Sequence, residues 1–181
     1  MTTIDSTTQP ESRPARAGQV TPNRVTEFSH VGIQVRDLSV SLPFYRDQIG
    51  LEVVSEWLVE DAHTREAVDL PEASLNMALL RLPGTNAYME VIEYRNVERT
   101  PVDPYHPNPG TCHIAWYVDD IDELYHRLVG LGLDPVSRRV VPINGGPLDG
   151  GKVIYMTDPD GIRIEFLQSD LYLDTTARPS V

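Results

Sequence analysis

The chain has 181 residues, 40% of them hydrophobic, which suits one domain or two very small units sharing a core. Fifteen Lys and Arg stand against 27 Asp and Glu, and the formal net charge of -12 argues against nucleic acid and anionic membrane, which both need a basic surface. The single cysteine, Cys112, excludes an intrachain disulfide and a Cys-x-x-Cys metal pair, so a reducing, cytoplasmic setting and a small-molecule substrate are expected.

Residues 1–24 are rich in Thr, Ser, Pro and Arg and lack an apolar leader core, so a disordered arm is expected there. No run of about 18 apolar residues occurs anywhere, so no membrane span is expected. From Phe28 to Val35 the residues alternate as a strand, then pass through Arg36-Asp37-Leu38 into a helical pattern with Leu42, Phe44, Tyr45 and Ile49, closing on Gly50. Pro43 would cost about 3 kcal/mol inside that helix, which places the expected start near Ser41 as N-cap. Leu51 to Leu58 reads as a strand, Glu60 to Glu72 as an excursion, and Leu75 to Leu82 and Tyr88 to Tyr94 as a hairpin around Pro83-Gly84-Thr85-Asn86. A proline-rich linker, 96–110, follows.

The pattern then repeats. Cys112 to Val118 is a strand, Asp119-Asp120-Ile121 leads into a helix through Leu124, Tyr125, Leu128 and Leu131, and Gly130 and Gly132 close it. Asp134 to Val141 is expected as a strand, the Gly-rich loop Asn144 to Gly151 as a flap, and Lys152 to Thr157 and Ile162 to Gln168 as a hairpin on Asp158-Pro-Asp-Gly161. The expected fold class is α+β, with two βαβββ modules, 25–95 and 111–168, forming curved mixed sheets around a cavity, and a flexible tail over 169–181.

The repeat brings out four residues. His30 and His113 fall at the same place on the first strand of each copy, and Glu90 and Glu165 at the same place on the last. Either type alone is commonly structural. Two imidazoles and two carboxylates at equivalent positions instead form a donor set for one divalent ion of the Zn, Ni, Co, Mn or Fe kind, with two positions left for water or substrate oxygens. Met89, Val91, Ile164 and Phe166 flank the two glutamates with apolar neighbours, so alternation turns both carboxylates to the opposite, concave face. Tyr88, Trp116, Tyr155 and Met156 are expected to wall that pocket. Cys112 points away from His113 and is expected as a small buried residue. His63 and His126 have no repeat counterpart, and His106 is expected only to border the pocket. The loop Asn144 to Gly151 lacks the Lys-Ser/Thr and helix start of a phosphate cradle.

Taken together, His30-Val-Gly-Ile-Gln-Val-Arg-Asp-Leu, Phe44-Tyr-Arg-Asp-Gln-Ile-Gly-Leu, Met89-Glu-Val-Ile-Glu-Tyr, His113-Ile-Ala-Trp-Tyr-Val-Asp-Asp-Ile and Asp158-Pro-Asp-Gly-Ile-Arg-Ile-Glu-Phe resemble the vicinal oxygen chelate superfamily of glyoxalase I, bleomycin resistance proteins, epimerases and extradiol dioxygenases. The resemblance spans Thr26 to Gln168. It implies His30, Glu90, His113 and Glu165 as metal ligands, Glu165 or Glu90 as the carboxylate that moves a proton next to a carbonyl, and a homodimer. The His, Glu, His, Glu order is most similar to bacterial glyoxalase I, a lyase acting on a hemithioacetal. An iron-dependent extradiol or natural-product dioxygenase, using His30, His113 and Glu165 with Glu90 surplus, is the alternative. A metal-free drug-binding protein of the bleomycin resistance type is the third.

Overall fold

A computed structural model of the protein describes residues 25–103 and 108–170. The expected arm over 1–24, the stretch 104–107 with His106, and all of the tail beyond Asp170 lie outside the described residues.

Two four-stranded mixed sheets carry the architecture. The first contains β1 (His30–Gln34), β2 (Glu52–Val59), β3 (Ser74–Arg81) and β4 (Tyr88–Arg95) in the order β1-β4-β3-β2. The second contains β5 (His113–Tyr117), β6 (Val141–Pro142), β7 (Lys152–Thr157) and β8 (Arg163–Gln168) in the equivalent order β5-β8-β7-β6. In each sheet the first strand runs parallel to the last and the other pairs are antiparallel. The strands bearing His30 and His113 are therefore edge strands, and each lies beside the strand bearing a glutamate.

The helices are set by equivalent devices. In the first module α1 (Leu38–Pro43) is capped by Asp37, whose carboxylate accepts from Ser39 N at 2.8 Å, and in the second α3 (Ile121–Gly130) is capped by Asp120, which accepts from Glu123 N at 2.9 Å. Each helix start is also tied to its own sheet. Glu93 Oε2 accepts from Leu38 N at 3.3 Å, and Gln168 Oε1 accepts from Ile121 N at 3.0 Å. These two residues lie three positions beyond Glu90 and Glu165, so the last strand of each module presents a carboxylate on one face and a helix cap on the other.

The start of α1 corrects the expectation of a cap at Ser41. Asp37 caps it, and Ser41 lies fully buried with its hydroxyl donating to Asp160 Oδ2 at 3.0 Å. Pro43 thus stands in the second turn. It has no N–H for the carbonyl four residues back, and from Phe44 to Ile49 the coil widens to a π-helix that stops at Gly50, with φ 93°. The excursion between β2 and β3 contains a further short helix, α2 (Ala62–Ala67), capped by Asp61. The expected strand from Asp134 to Val141 is a second correction: it is reduced to a bridge between Pro135 and Met156 and the two residues of β6. Pro135 has no ladder donor, and the Arg138 and Arg139 carbonyls accept from the Tyr125 and Ser137 hydroxyls at 3.0 and 3.1 Å.

One core joins both modules. Ile33, Ala78, Leu80, Met89 and Val91 from the first sheet meet Ile154, Met156, Ile164 and Phe166 from the second, with Phe44, Tyr45, Ile121 and Leu128 from the helices between them. Polar clasps fix the joint. Tyr45 Oη donates to Asp158 Oδ2 at 2.8 Å, and Arg36 Nε donates to Asp160 Oδ1 at 2.6 Å. Burial, then Tyr45 and the backbone amides of Ile162 and Asp160, act on Asp158, and its carboxyl is held above the usual range because desolvation outweighs the bonds it receives.

Candidate functional site

Strand alternation decides which side chains share a face. With residues such as Ile33, Met89, Val91, Ile164 and Phe166 turned into the common core, His30, Glu90, His113 and Glu165 are turned to the opposite faces of their sheets. There they form two pairs. His30 Nε2 lies 3.5 Å from Glu90 Oε2, and His113 Nε2 lies 3.0 Å from Glu165 Oε2. The imidazoles are 40% and 48% exposed while the carboxylates are 17% and 14% exposed, so each pair opens outward through its histidine. Ser29 Oγ lies 3.0 Å from His30 Nδ1, which occupies that nitrogen and leaves Nε2 to the pair.

Because both pairs face away from a core that lies between the two sheets, one chain does not bring all four together. No group of three or more His, Cys, Asp or Glu side chains able to hold one metal ion occurs among the described residues. Each pair is half of the expected donor set. Two imidazole nitrogens and two carboxylate oxygens are donors that a borderline divalent ion accepts.

The surroundings of the two pairs differ. Beside Glu165, Tyr155 is the directly opposite residue of β7, and its ring meets that of His113 edge-on at 5.5 Å. Burial first, then Glu165, pushes the Tyr155 hydroxyl up to about 12, so it stays a donor at neutral pH. Beside Glu90 the opposite residue of β3 is Leu79. The same face of the first sheet carries an apolar cluster of Leu75, Met77 and Ile92, backed by Trp57, Tyr94 and by Val68 and Leu70 after α2.

Of the expected pocket residues, Tyr155 and Tyr88 share the faces of the pairs. Tyr88 stands opposite His30 and lines a cleft with Phe28, Ser29 and Asn86. Trp116 and Met156 are corrections. Met156 is fully buried in the common core, and Trp116 packs there against Tyr45 and Phe166, because both are one residue out of phase with the site positions His113, Ala115 and Tyr155. Cys112 is exposed and not buried, since it precedes β5 and no element covers it. His63 lies beside Asp61 at 2.5 Å on the surface, and the ring of His126 meets Tyr125 edge-on at 5.3 Å. The loop before β7 is closely bonded, with Gly151 N donating to Leu148 O and Ile143 N to Gly151 O at 2.9 and 2.8 Å. Sequence reasoning missed Ser29, Leu79 and the Trp57, Met77 and Ile92 wall, although the alternation of Leu75, Met77 and Leu79 on the strand opposite Glu90 carried that signal.

Residues 27–166 match the model of the Glyoxalase/Bleomycin resistance protein/Dioxygenase superfamily. The chain belongs to this superfamily. Among relatives, it is 30% identical over 143 residues to a 2-epi-5-epi-valiolone epimerase from an Actinomyces species, covering 76% of each chain. It is 27% identical to a lactoylglutathione lyase from Haemophilus influenzae, covering 79% of this chain and 93% of that one. The crystal structure of a glyoxalase family protein from Bacillus cereus aligns with a TM-score of 0.74 at 21% identity, over 83% of this chain and 99% of that one. The glyoxalase fold is thereby shown for this chain, including its equivalently ordered sheets.

Proposed function

We propose that the protein is a divalent-metal enzyme that moves a proton next to the carbonyl of a small, oxygen-chelating substrate. The observation that carries this reading is the presence of two outward-facing His–Glu couples, His30–Glu90 and His113–Glu165, at equivalent places in the repeat. A bound divalent ion supplies Lewis acidity, worth several kcal/mol of charge stabilisation when a carbonyl oxygen gains negative charge. The chain supplies the rest. Nε2 of the two histidines and the glutamate oxygens hold the ion, a glutamate carboxylate takes the proton from the substrate carbon and returns it, and the apolar wall of Met77, Ile92 and Trp57 keeps water from the reacting side.

The four ligands meet when two copies of the chain associate, the His30–Glu90 couple of one facing the His113–Glu165 couple of the other. The outward direction of both couples and the open edges of β1 and β5 that bear the histidines support this arrangement. The names of the relatives supply the two reactions to assay, hemithioacetal isomerisation and valiolone epimerisation, both of which relocate a proton beside a carbonyl.

The test is to purify without chelator, measure bound metal, and follow isomerisation of methylglyoxal hemithioacetals and proton exchange of valiolones beside oxygen uptake with catechols. Metal-dependent proton transfer without oxygen uptake is expected. Oxygen uptake with bound iron and no proton transfer would replace this reading by a ring-cleaving dioxygenase, and tight binding of aromatic ligands by metal-free protein would replace it by sequestration.

A further inference from the structure

The joint between the two modules holds a cavity that none of His30, Glu90, His113 and Glu165 lines. Its volume is about 340 Å³, within the usual range for small-molecule sites. We infer that this cavity binds a small organic cation, a primary ammonium group carried on a short hydrocarbon chain.

The cavity has an unmet hydrogen-bond acceptor. Pro43 interrupts the ladder of α1, and in the widened coil that follows Gln48 comes to line the joint. Arg127 Nη1 of α3 donates to the Gln48 carbonyl at 2.9 Å, which fixes the backbone there across the two modules. The side chain is not so served: Gln48 Oε1 is buried, and no donor reaches it among the described residues. A buried acceptor without a donor is costly, so a ligand N–H delivered into the cavity has a defined partner.

The remaining lining sets what carries that donor. Pro43, Phe44, Leu133 and Pro159 supply apolar surface, and Val40, 54% exposed beside them, is a hydrophobe that a bound ligand covers. Among the described residues no Lys, Arg or His lines the cavity, whereas Asp134 and Asp158 both do. Asp158 is already engaged, accepting from Tyr45 at Oδ2 and from the amides of Asp160 and Ile162 at Oδ1. Asp134 is exposed, so its carboxylate is open to an ammonium group. A neutral alcohol could serve Gln48 but gains little from Asp134, and an organic anion is repelled by it. The net charge of -12 adds a field that draws cations toward the surface. A ligand seated here touches the first module at Pro43 and Gln48 and the second at Leu133 and Pro159, so occupancy ties the modules together and stabilises the fold.

The experiment is a calorimetric titration of the full chain with n-butylammonium chloride, beside n-butanol and sodium butyrate at equal ionic strength, with thermal unfolding followed in parallel. Butylammonium is expected to bind at a single site and to raise the unfolding midpoint, n-butanol to bind about threefold more weakly, and butyrate to give no heat of binding. Leu133→Trp fills the cavity and is expected to abolish binding, while Gln48→Leu weakens it about fivefold and Asp134→Asn about threefold. Asp134→Asn alters an exposed side chain, so the comparison stands even where another variant fails to fold. No binding of butylammonium, equal affinity for n-butanol, or wild-type affinity in Asp134→Asn would overturn the cation assignment. Wild-type affinity in a folded Leu133→Trp would place the cation elsewhere on the acidic surface and overturn the site.

Discussion

Two glutamates three residues apart on β4 are given opposite tasks by the pleat of the strand. Glu90 faces outward to His30, whereas Glu93 is enclosed on the helix side, where Arg95 grips it with two bonds of 2.9 Å and Asn76 Nδ2 and Leu38 N complete its acceptor shell. The Arg95 guanidinium and these donors outweigh burial and hold the Glu93 carboxyl at about 2, below the ordinary 4.5. Because the folded value is depressed, this stabilisation is present above the unfolded value and is lost as pH falls from 4.5 through about 2. The difference corresponds to roughly 3 kcal/mol at neutral pH, lowered to ~2 because solvent screens the half-exposed Arg95. Glu93→Gln is therefore expected to lower the urea midpoint at pH 7 and to flatten its fall between pH 4.5 and 2; an unchanged acid profile would contradict this role. The outward couples were legible in the sequence because the repeat marks His30, Glu90, His113 and Glu165 independently of any contact. The walls were less so. Trp116 and Met156 are aromatic or bulky residues on the right strands, but the register that sets their phase is a tertiary fact, and it turns them into the core.

At the scale of elements, the module joint depends on a hairpin turn of the second module reaching back to the first helix. Tyr45→Phe deletes the hydroxyl that donates to buried Asp158, and is expected to cost about 1–3 kcal/mol, seen as a lower midpoint of thermal unfolding. No shift of that midpoint would show that the clasp is dispensable. A second element-level device is Gly151, where the loop passes against the end of β8. A Cβ there would lie 2.7 Å from Gln168 O and 2.9 Å from Leu148 O, both backbone atoms that cannot swing aside. Gly151→Ala is expected to destabilise by about 1–3 kcal/mol, and because Gln168 also caps α3, hydrogen exchange at the start of that helix should quicken. Faster exchange elsewhere with α3 unaffected would contradict the link. Strands, hairpin turns and the helix of the second module were readable from periodicity and from Pro-Gly and Asp-Gly turns. The start of α1 was not, because proline cost alone pointed to Ser41, whereas Asp37 and Glu93 cap the helix earlier and a widened π turn accommodates Pro43. The thinning of the 134–141 strand was hidden for a related reason: Pro135 and local hydroxyl bonds outcompete the ladder there.

For the whole molecule, the shared core sets where the chemistry can occur. Burying the inner faces of both sheets in one cluster turns both His–Glu couples outward, so one chain alone would carry the two halves of the proposed centre apart. The repeat made the four residues visible, but it did not say which copies meet, because sequence equivalence is silent about whether the modules pair by their inner or outer faces. The most direct measurement mixes two defective chains. His30→Ala destroys the first half-centre and His113→Ala the second, and either variant alone is expected to lose tight cobalt(II) binding. After dissociation and random reassociation of equal amounts, heterodimers would hold one intact His30–Glu90 couple against one intact His113–Glu165 couple, restoring tight sites at about a quarter of the wild-type number. Recovery of that binding is the predicted result; a mixture that binds no more cobalt than its separate components would contradict a centre shared between two copies.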